Sequence, residues 1–146
     1  MRVYLDTCCL NRPFDNQEQE RIREETEAVR LVFSRIEHDG WEWIGSQVLT
    51  YEVSMVPDAE RRIILEHWLF WMSTKVTIDE SVILRAEDLK IRGFHTADAL
   101  HIACAEKGAV DVMLTTDGQL LHLAGKCAPI IRMPIANPRE WITGER

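Results

Sequence analysis

Val3-Tyr4-Leu5-Asp6 near one end of the chain and Val110-Asp111-Val112-Met113-Leu114-Thr115-Thr116-Asp117 near the other decide the fold. Both are short, mostly apolar runs without clean alternation, the pattern of a strand buried on both faces of a parallel sheet. The first stops abruptly at Asp6, and the second ends three residues before Asp117. In an open parallel sheet, ligands bind just beyond the carboxyl ends of the strands. Two carboxylates are therefore expected at the edge where a site forms.

Working outward, residues 2–9 read as the first strand and Asn11 to Asn16 as a loop. Glu18 to His38 reads as a helix whose apolar stripe is Ile22, Val29, Val32, Phe33 and Ile36. Asp39-Gly40 stops that helix, and Trp41 to Gly45 is a second strand. Ser46 is placed to cap a helix carrying Val48, Leu49, Glu52 and Val53. Pro57-Asp58 opens another helix running to about Ser73, and Val76-Thr77-Ile78 is a short extended piece. Asp79 caps a helix ending near Gly93, and Thr96 caps the next, which is apolar nearly all round through Lys107. Gly118 to Ala124 is helical, Pro129-Ile130-Ile131 reads as a last strand, and Asn137 to Trp141 as a turn with an aromatic anchor. Strands alternating with helices predict a three-layer α/β/α fold with a central parallel sheet.

The 146 residues suit one domain spanning 1–146 with a full core. Hydrophobic residues are 46% and charged residues 28%, the balance of a globular protein, and no apolar stretch reaches bilayer-spanning length. The N-terminus enters a strand with no signal-peptide pattern, so a cytoplasmic location is expected. Cys8, Cys9, Cys104 and Cys127 include no C-x-x-C pair and read as reduced thiols; in extended chain Cys8 and Cys9 would face opposite ways. The net charge of −7 argues against broad gripping of nucleic acid, but a nuclease whose acids hold cations is compatible with it.

Glu52 and Asp98 extend the pair of strand-end acids to four. Each acid has an ordinary alternative. Asp6 and Asp117 can be helix caps, Glu52 a solvated helical acid, and Asp98 a structural carboxylate favoured by the helix dipole. Asp98, however, opens a helix surrounded by Ala97, Ala99, Leu100, Ile102 and Ala103, where few other polar groups are at hand. Four hard oxygen ligands in one place require cations and select Mg2+ or Mn2+. Arg12 is the first candidate for a phosphate contact, followed by Arg92 and His95, although each alone is ordinarily a solvated cation. His101 lies three residues after Asp98 on a similar face, where a buried histidine with a backbone partner is the expectation.

Tyr4-Leu5-Asp6-Thr7, then Glu52, then Thr96-Ala97-Asp98-Ala99-Leu100-His101-Ile102-Ala103, then Leu114-Thr115-Thr116-Asp117 resembles the PIN-domain family, in particular the VapC-type toxins of bacterial toxin–antitoxin modules. The resemblance runs from Val3 to Trp141. It implies a Rossmann-like sheet and a Mg2+- or Mn2+-dependent endoribonuclease. Asp6 and Asp98 would be direct metal ligands, and Glu52 and Asp117 would complete the quartet by binding a second ion or holding water. Thr115 would orient Asp117 through its hydroxyl, and Ser46 would cap the helix bearing Glu52. Bound ions would lower the pKa of a water and steady charge on the scissile phosphate, about 4 Å apart where two are present. The implied partners are an RNA substrate and a cognate antitoxin protein. Cys8, where many relatives carry Asn or another small polar residue, and the loop Asn11 to Asn16 depart from the family pattern.

Ile63, Ile64, Leu65, Trp68, Leu69, Phe70, Trp71 and Met72 exceed one apolar stripe, which predicts a second buried surface for a homodimer or an antitoxin helix. A haloacid-dehalogenase-type phosphatase would need a second Asp two positions after Asp6, where Cys8 stands. A receiver domain would distribute its acids otherwise. The remaining alternative is a PIN-fold scaffold that binds partners without cutting.

Overall fold

The computed structural model describes residues 1–144. Five strands form one sheet: β1 (Arg2–Leu5), β2 (Glu42–Ser46), β3 (Thr74–Val76), β4 (Val112–Leu114) and β5 (Ile135–Ala136). All pairings are parallel and the order is β3-β2-β1-β4-β5. The order runs outward in one direction from β1 to β3 and in the other from β4 to β5. The reversal falls between β1 and β4, and a crevice opens at the carboxyl ends of those two strands.

Side chains alternate across the sheet because the strand period is two. Tyr4, Ile44 and Met113 face α5 (Glu80–Ile91), α6 (Thr96–Lys107) and α7 (Gly118–Lys126). Val3, Leu5, Trp43, Val112 and Leu114 face α1 (Thr7–Asn11), α2 (Glu20–His38), α4 (Ala59–Trp68) and α8 (Pro138–Gly144). The result is three layers, α/β/α. The eight-residue α3 (Gln47–Ser54) sends Val48 into one core and Leu49 and Val53 into the other. It therefore rides over the sheet's edge, where Glu52 is carried.

Two buried carboxylates each tie elements together within one helical layer. Glu25 of α2 is 0% exposed and pairs with Arg12 (2.8 Å) and Arg21 (3.3 Å), and it also accepts from Asn137 at the start of α8. Glu106 of α6 takes Nε and Nη2 of Arg85 at 2.7 and 2.9 Å, which locks α5 to α6. No helix among the described residues is long and apolar enough to cross a membrane.

Several boundaries differ from the sequence reading. β1 stops at Leu5 because Asp6 caps α1, so Cys8 and Cys9 lie in a helical turn and not in extended chain. The helix opened by Asp58 breaks at Trp68 into a 3-10 turn, Leu69–Trp71. His95, not Thr96, is the N-cap of α6, and its side chain makes no capping bond. Pro129-Ile130-Ile131, expected as a strand, is instead mostly taken up by a 3-10 turn, Ala128–Ile130, with Pro129 in its first turn, where a missing N–H costs nothing. The last strand is Ile135–Ala136, held to β4 by bonds such as Met113 N–H to Pro134 O at 3.0 Å. The tail expected as a turn is α8, begun by Pro138, with Asn137 Oδ1 accepting from Arg139 N–H and Trp141 packed into the core.

Candidate active site

The pairing of Leu5 with Leu114 sets Asp6 beside Thr115, and Asp6 N–H donates to Leu114 O at 2.9 Å. Asp6 is buried and both its oxygens are held. Oδ1 accepts from Thr7 N–H (2.9 Å) as the cap of α1, and Oδ2 accepts from Thr115 Oγ1 (2.7 Å). The Cys8 thiol lies 3.4 Å from Oδ2. Thr115 therefore orients Asp6 by its hydroxyl; toward Asp117 it accepts only the backbone N–H, at 3.1 Å.

Glu52 reaches the same point from α3. Its Oε1 accepts from Thr7 Oγ1 at 2.5 Å and lies 2.5 Å from His101 Nε2, which in turn is 3.6 Å from Asp6 Oδ1. Ligand atoms of Asp6, Glu52 and His101 all fall within 4.8 Å of one another. Burial alone would raise the Glu52 pKa, but the bond to His101 and its charge outweigh burial and hold it below the usual carboxylate range.

His101 belongs to a buried relay. Its Nδ1 is 2.6 Å from the Tyr4 hydroxyl, which is 2.6 Å from Ser46 Oγ, which accepts Leu49 N–H at 3.1 Å. Ser46 is thus the cap of α3, as its sequence position predicts, and also the far end of a chain leading back to Glu52. Burial keeps the Tyr4 hydroxyl protonated far above neutrality. The expected backbone partner of His101 is replaced by two side chains. Its spacing from Asp98 marked the face, but nothing local to either segment announced that Tyr4 would meet it.

Asp98 and Asp117 line an adjoining cleft of about 210 Å³ with His95 and Gln119. The Asp98 carboxyl is pushed up to about 6, first by burial and then by the negative charges of Asp6 and Asp117. Asp117 caps α7, with Oδ1 accepting from Gln119 and Leu120 N–H at 2.9 and 3.2 Å. Capping occupies that one oxygen. The four sequence-selected acids thus fall in two adjoining clefts, and the close group of possible ligand atoms joins Asp6 and Glu52 to His101 rather than to Asp98 and Asp117. Asp6 and Glu52 share one cleft, Asp98 and Asp117 its neighbour, and Asp98 feels the charge of Asp6 and Asp117.

Arg12 is elsewhere engaged. Its side chain is 19% exposed and its guanidinium is neutralised by Glu25 at 2.8 Å and Asp15 at 3.1 Å, so it braces the loop after α1 before it can serve a phosphate. Arg92 lies 3.8 Å from Asp88, and His95 lines the Asp98 cleft. The cysteines are free thiols, with Cys9 and Cys104 buried.

Away from the acids, a recess of about 600 Å³ runs between α2 and α4, walled by Phe14, Phe33, Ile36, Ile64, Trp68 and Trp71. Beside it Ile63 is exposed and Phe70 is 85% exposed. The apolar excess of this segment is therefore surface rather than core.

Two solved assemblies share the architecture. VapBC2 from Rickettsia felis, bound to a DNA fragment from its promoter, matches with a TM-score of 0.57 at 12% identity over 94% of this chain and 98% of that one. VapBC-1 from nontypeable Haemophilus influenzae matches with a TM-score of 0.59 at 14% identity, over 94% and 98% respectively. Comparison with curated proteins gives no match. The PIN domain family model matches residues 3–126, most of the chain and every acid described above. By that match, the chain belongs to the PIN domain family.

Proposed function

We propose that this chain is a metal-dependent endoribonuclease that hydrolyses RNA phosphodiester bonds, acting as one nuclease domain and as the toxin of a toxin–antitoxin module. The observation that carries the reading is the placement of Asp6 and Glu52 in one cleft and of Asp98 and Asp117 in its neighbour, with Asp98 close enough to feel the charge of Asp6.

The donor set fits Mg2+ or Mn2+. The carboxylates are hard oxygen ligands, and Asp98 bears a charge penalty that a cation would relieve. Asp6 and Asp98 would hold the ion directly, with Glu52 and Asp117 completing the set. When bound, such an ion lowers the pKa of a water and offsets charge on the scissile phosphate. The chain's own contribution is to fix the ligands. Thr7 N–H and Thr115 Oγ1 orient the two oxygens of Asp6, while Thr7 Oγ1 and His101 hold Glu52. Cys8 has Asp6, Thr115 and Thr116 around it and no histidine base, so no covalent intermediate is invoked.

The partner half of the reading is supported by the VapBC assemblies that share the fold and by the open apolar recess between α2 and α4. An antitoxin helix with bulky apolar anchors suits that recess, as does a second copy in a homodimer. A cytoplasmic location accords with the free thiols.

Purified protein is expected to cut RNA only with Mg2+ or Mn2+. Asp6→Asn and Asp98→Asn should abolish cleavage while far-ultraviolet circular dichroism stays unchanged. Undiminished cleavage in both variants would end the proposal.

A further inference from the structure

We infer that the cleft beside Asp6 and Glu52 is a nucleotide-binding subsite for single-stranded RNA. In it the base stacks on Tyr51 and Met55 and the neighbouring phosphate is held by Arg61. This rests on the nuclease reading and adds to it the residues that seat the substrate.

The cleft is about 490 Å³, and its walls include both acids together with Asn11, Tyr51, Met55 and Arg61. Tyr51 precedes Glu52 in α3 and Met55 follows it by three residues, yet the two are 64% and 62% exposed. A helix over a core ordinarily turns such residues inward. Here the core face is already taken by Val48, Leu49 and Val53, and the large apolar groups stand in solvent next to a cluster of carboxylates. An aromatic ring beside a phosphate-cleaving centre matches the way unpaired bases are held, since every base offers a face to stack. A thioether packs against aromatic rings for related reasons.

The charge pattern points the same way. Arg61 has no carboxylate within 4.0 Å among the described residues. Its Nη2 donates to the Phe14 carbonyl at 3.1 Å and its Nη1 lies 3.4 Å from Asn11 Oδ1. The guanidinium also sits 5.2 Å over the Phe14 ring. Neutral partners aim it without cancelling its charge, whereas Arg12 is cancelled by Glu25 and Asp15. Arg61 thereby takes the role that sequence spacing suggested for Arg12. A net charge of −7 argues against broad electrostatic attraction to RNA. Affinity then comes from a few placed contacts, and a stacking platform next to a guanidinium without a carboxylate partner supplies them. A duplex keeps its bases stacked on one another and cannot offer one to Tyr51.

The test is fluorescence anisotropy with a short labelled single-stranded oligoribonucleotide in EDTA, where nothing is cut, compared with the same sequence as a duplex. Cleavage kinetics with Mn2+ are measured separately. Tyr51→Ala should weaken single-strand binding about tenfold, the equivalent of one lost stack, and Tyr51→Phe should restore it. Arg61→Ala should weaken binding and reduce the slope of log affinity against log salt by about 0.7, one phosphate contact on a single strand. In the Mn2+ assay both changes should appear in KM with kcat nearly intact, because among the described residues neither side chain is hydrogen-bonded or ion-paired to the acids. Unchanged affinity in both alanine variants, or a duplex bound as tightly as the single strand, overturns the proposal. So does a Tyr51→Ala effect confined to sedimentation of a self-associating wild type, which would mark the face as a protein contact. Binding that depends on Tyr51 and Arg61 without any cleavage would leave the subsite standing and remove the nuclease reading. Cleavage indifferent to both residues would do the reverse.

Discussion

At the scale of single residues, His101 does more than fill space. Its Nδ1 side is engaged by the Tyr4 hydroxyl and its Nε2 side by Glu52, so the ring direction is set by a buried phenol. Groups that orient a metal-binding carboxylate commonly tune affinity by 10- to 100-fold. His101→Leu is therefore expected to weaken Mn2+ binding by about tenfold or more, read by calorimetry, while His101→Gln recovers part of it by restoring a donor. Equal loss in both variants would mean that the ring acts only by its bulk. Tyr4→Phe should cost about 1–3 kcal/mol in urea unfolding, because it strips partners from Ser46 and His101 in a dry core. Asp6, Asp98 and Asp117 were legible from sequence because strand ends and helix first turns are local patterns, whereas Glu52, further along α3, carries no such local mark. Tyr4, His101 and Arg61 were not legible, since their meaning comes from contacts between segments 42, 97 and 50 residues apart.

Among the elements, most helices followed their apolar stripes, although α6 is capped by His95 rather than Thr96 and α8 stands where a turn was expected. Asp58, Asp79 and Ser46 all cap where expected. What escaped were pieces whose state is decided from outside. β5 has only two residues and exists because β4 offers it a ladder. Ile130 and Ile131 have strand-like side chains, yet Pro129 favours a tight turn and Ile131 packs toward α5 and α6. The α5–α6 pair adds one bidentate contact to its apolar packing. Arg85→Ala would leave Glu106, whose side chain is 1% exposed, with the Arg132 N–H as a remaining donor. Removing one partner of a buried pair typically costs about 3–5 kcal/mol. Arg85→Ala is expected near that range in denaturant unfolding, and a loss below about 1 kcal/mol would show that water reaches Glu106 on removal of the arginine.

Over the whole molecule, the acid cluster should make function and stability pull in opposite directions, with Asp98 as the gauge. Its carboxyl titrates near 6 in the folded chain, chiefly because it is buried and then because Asp6 and Asp117 repel its charge, whereas an unfolded aspartate titrates near about 3.9. A raised carboxyl favours folding below the unfolded value, and that contribution is lost as pH rises through the folded one. Glu25 runs the other way: burial would raise its pKa, but bonds from Asn137, Arg12 and Arg21 lower it, so its contribution is present above the unfolded value and lost in acid. Comparing wild type with Asp98→Asn cancels the Glu25 contribution and isolates Asp98. Without divalent ions, Asp98→Asn is expected to be more stable than wild type by about 2 kcal/mol above pH 6, the gap closing toward about pH 4. Mn2+ should then raise the wild-type melting temperature by mass action and leave the variant almost unmoved. Calorimetry across that pH range, with and without the ion, reads both effects. A variant less stable than wild type at pH 7.5 in EDTA would show that Asp98 is a structural acid stabilised by the dipole of α6, and the charge cluster would lose its claim to be strained.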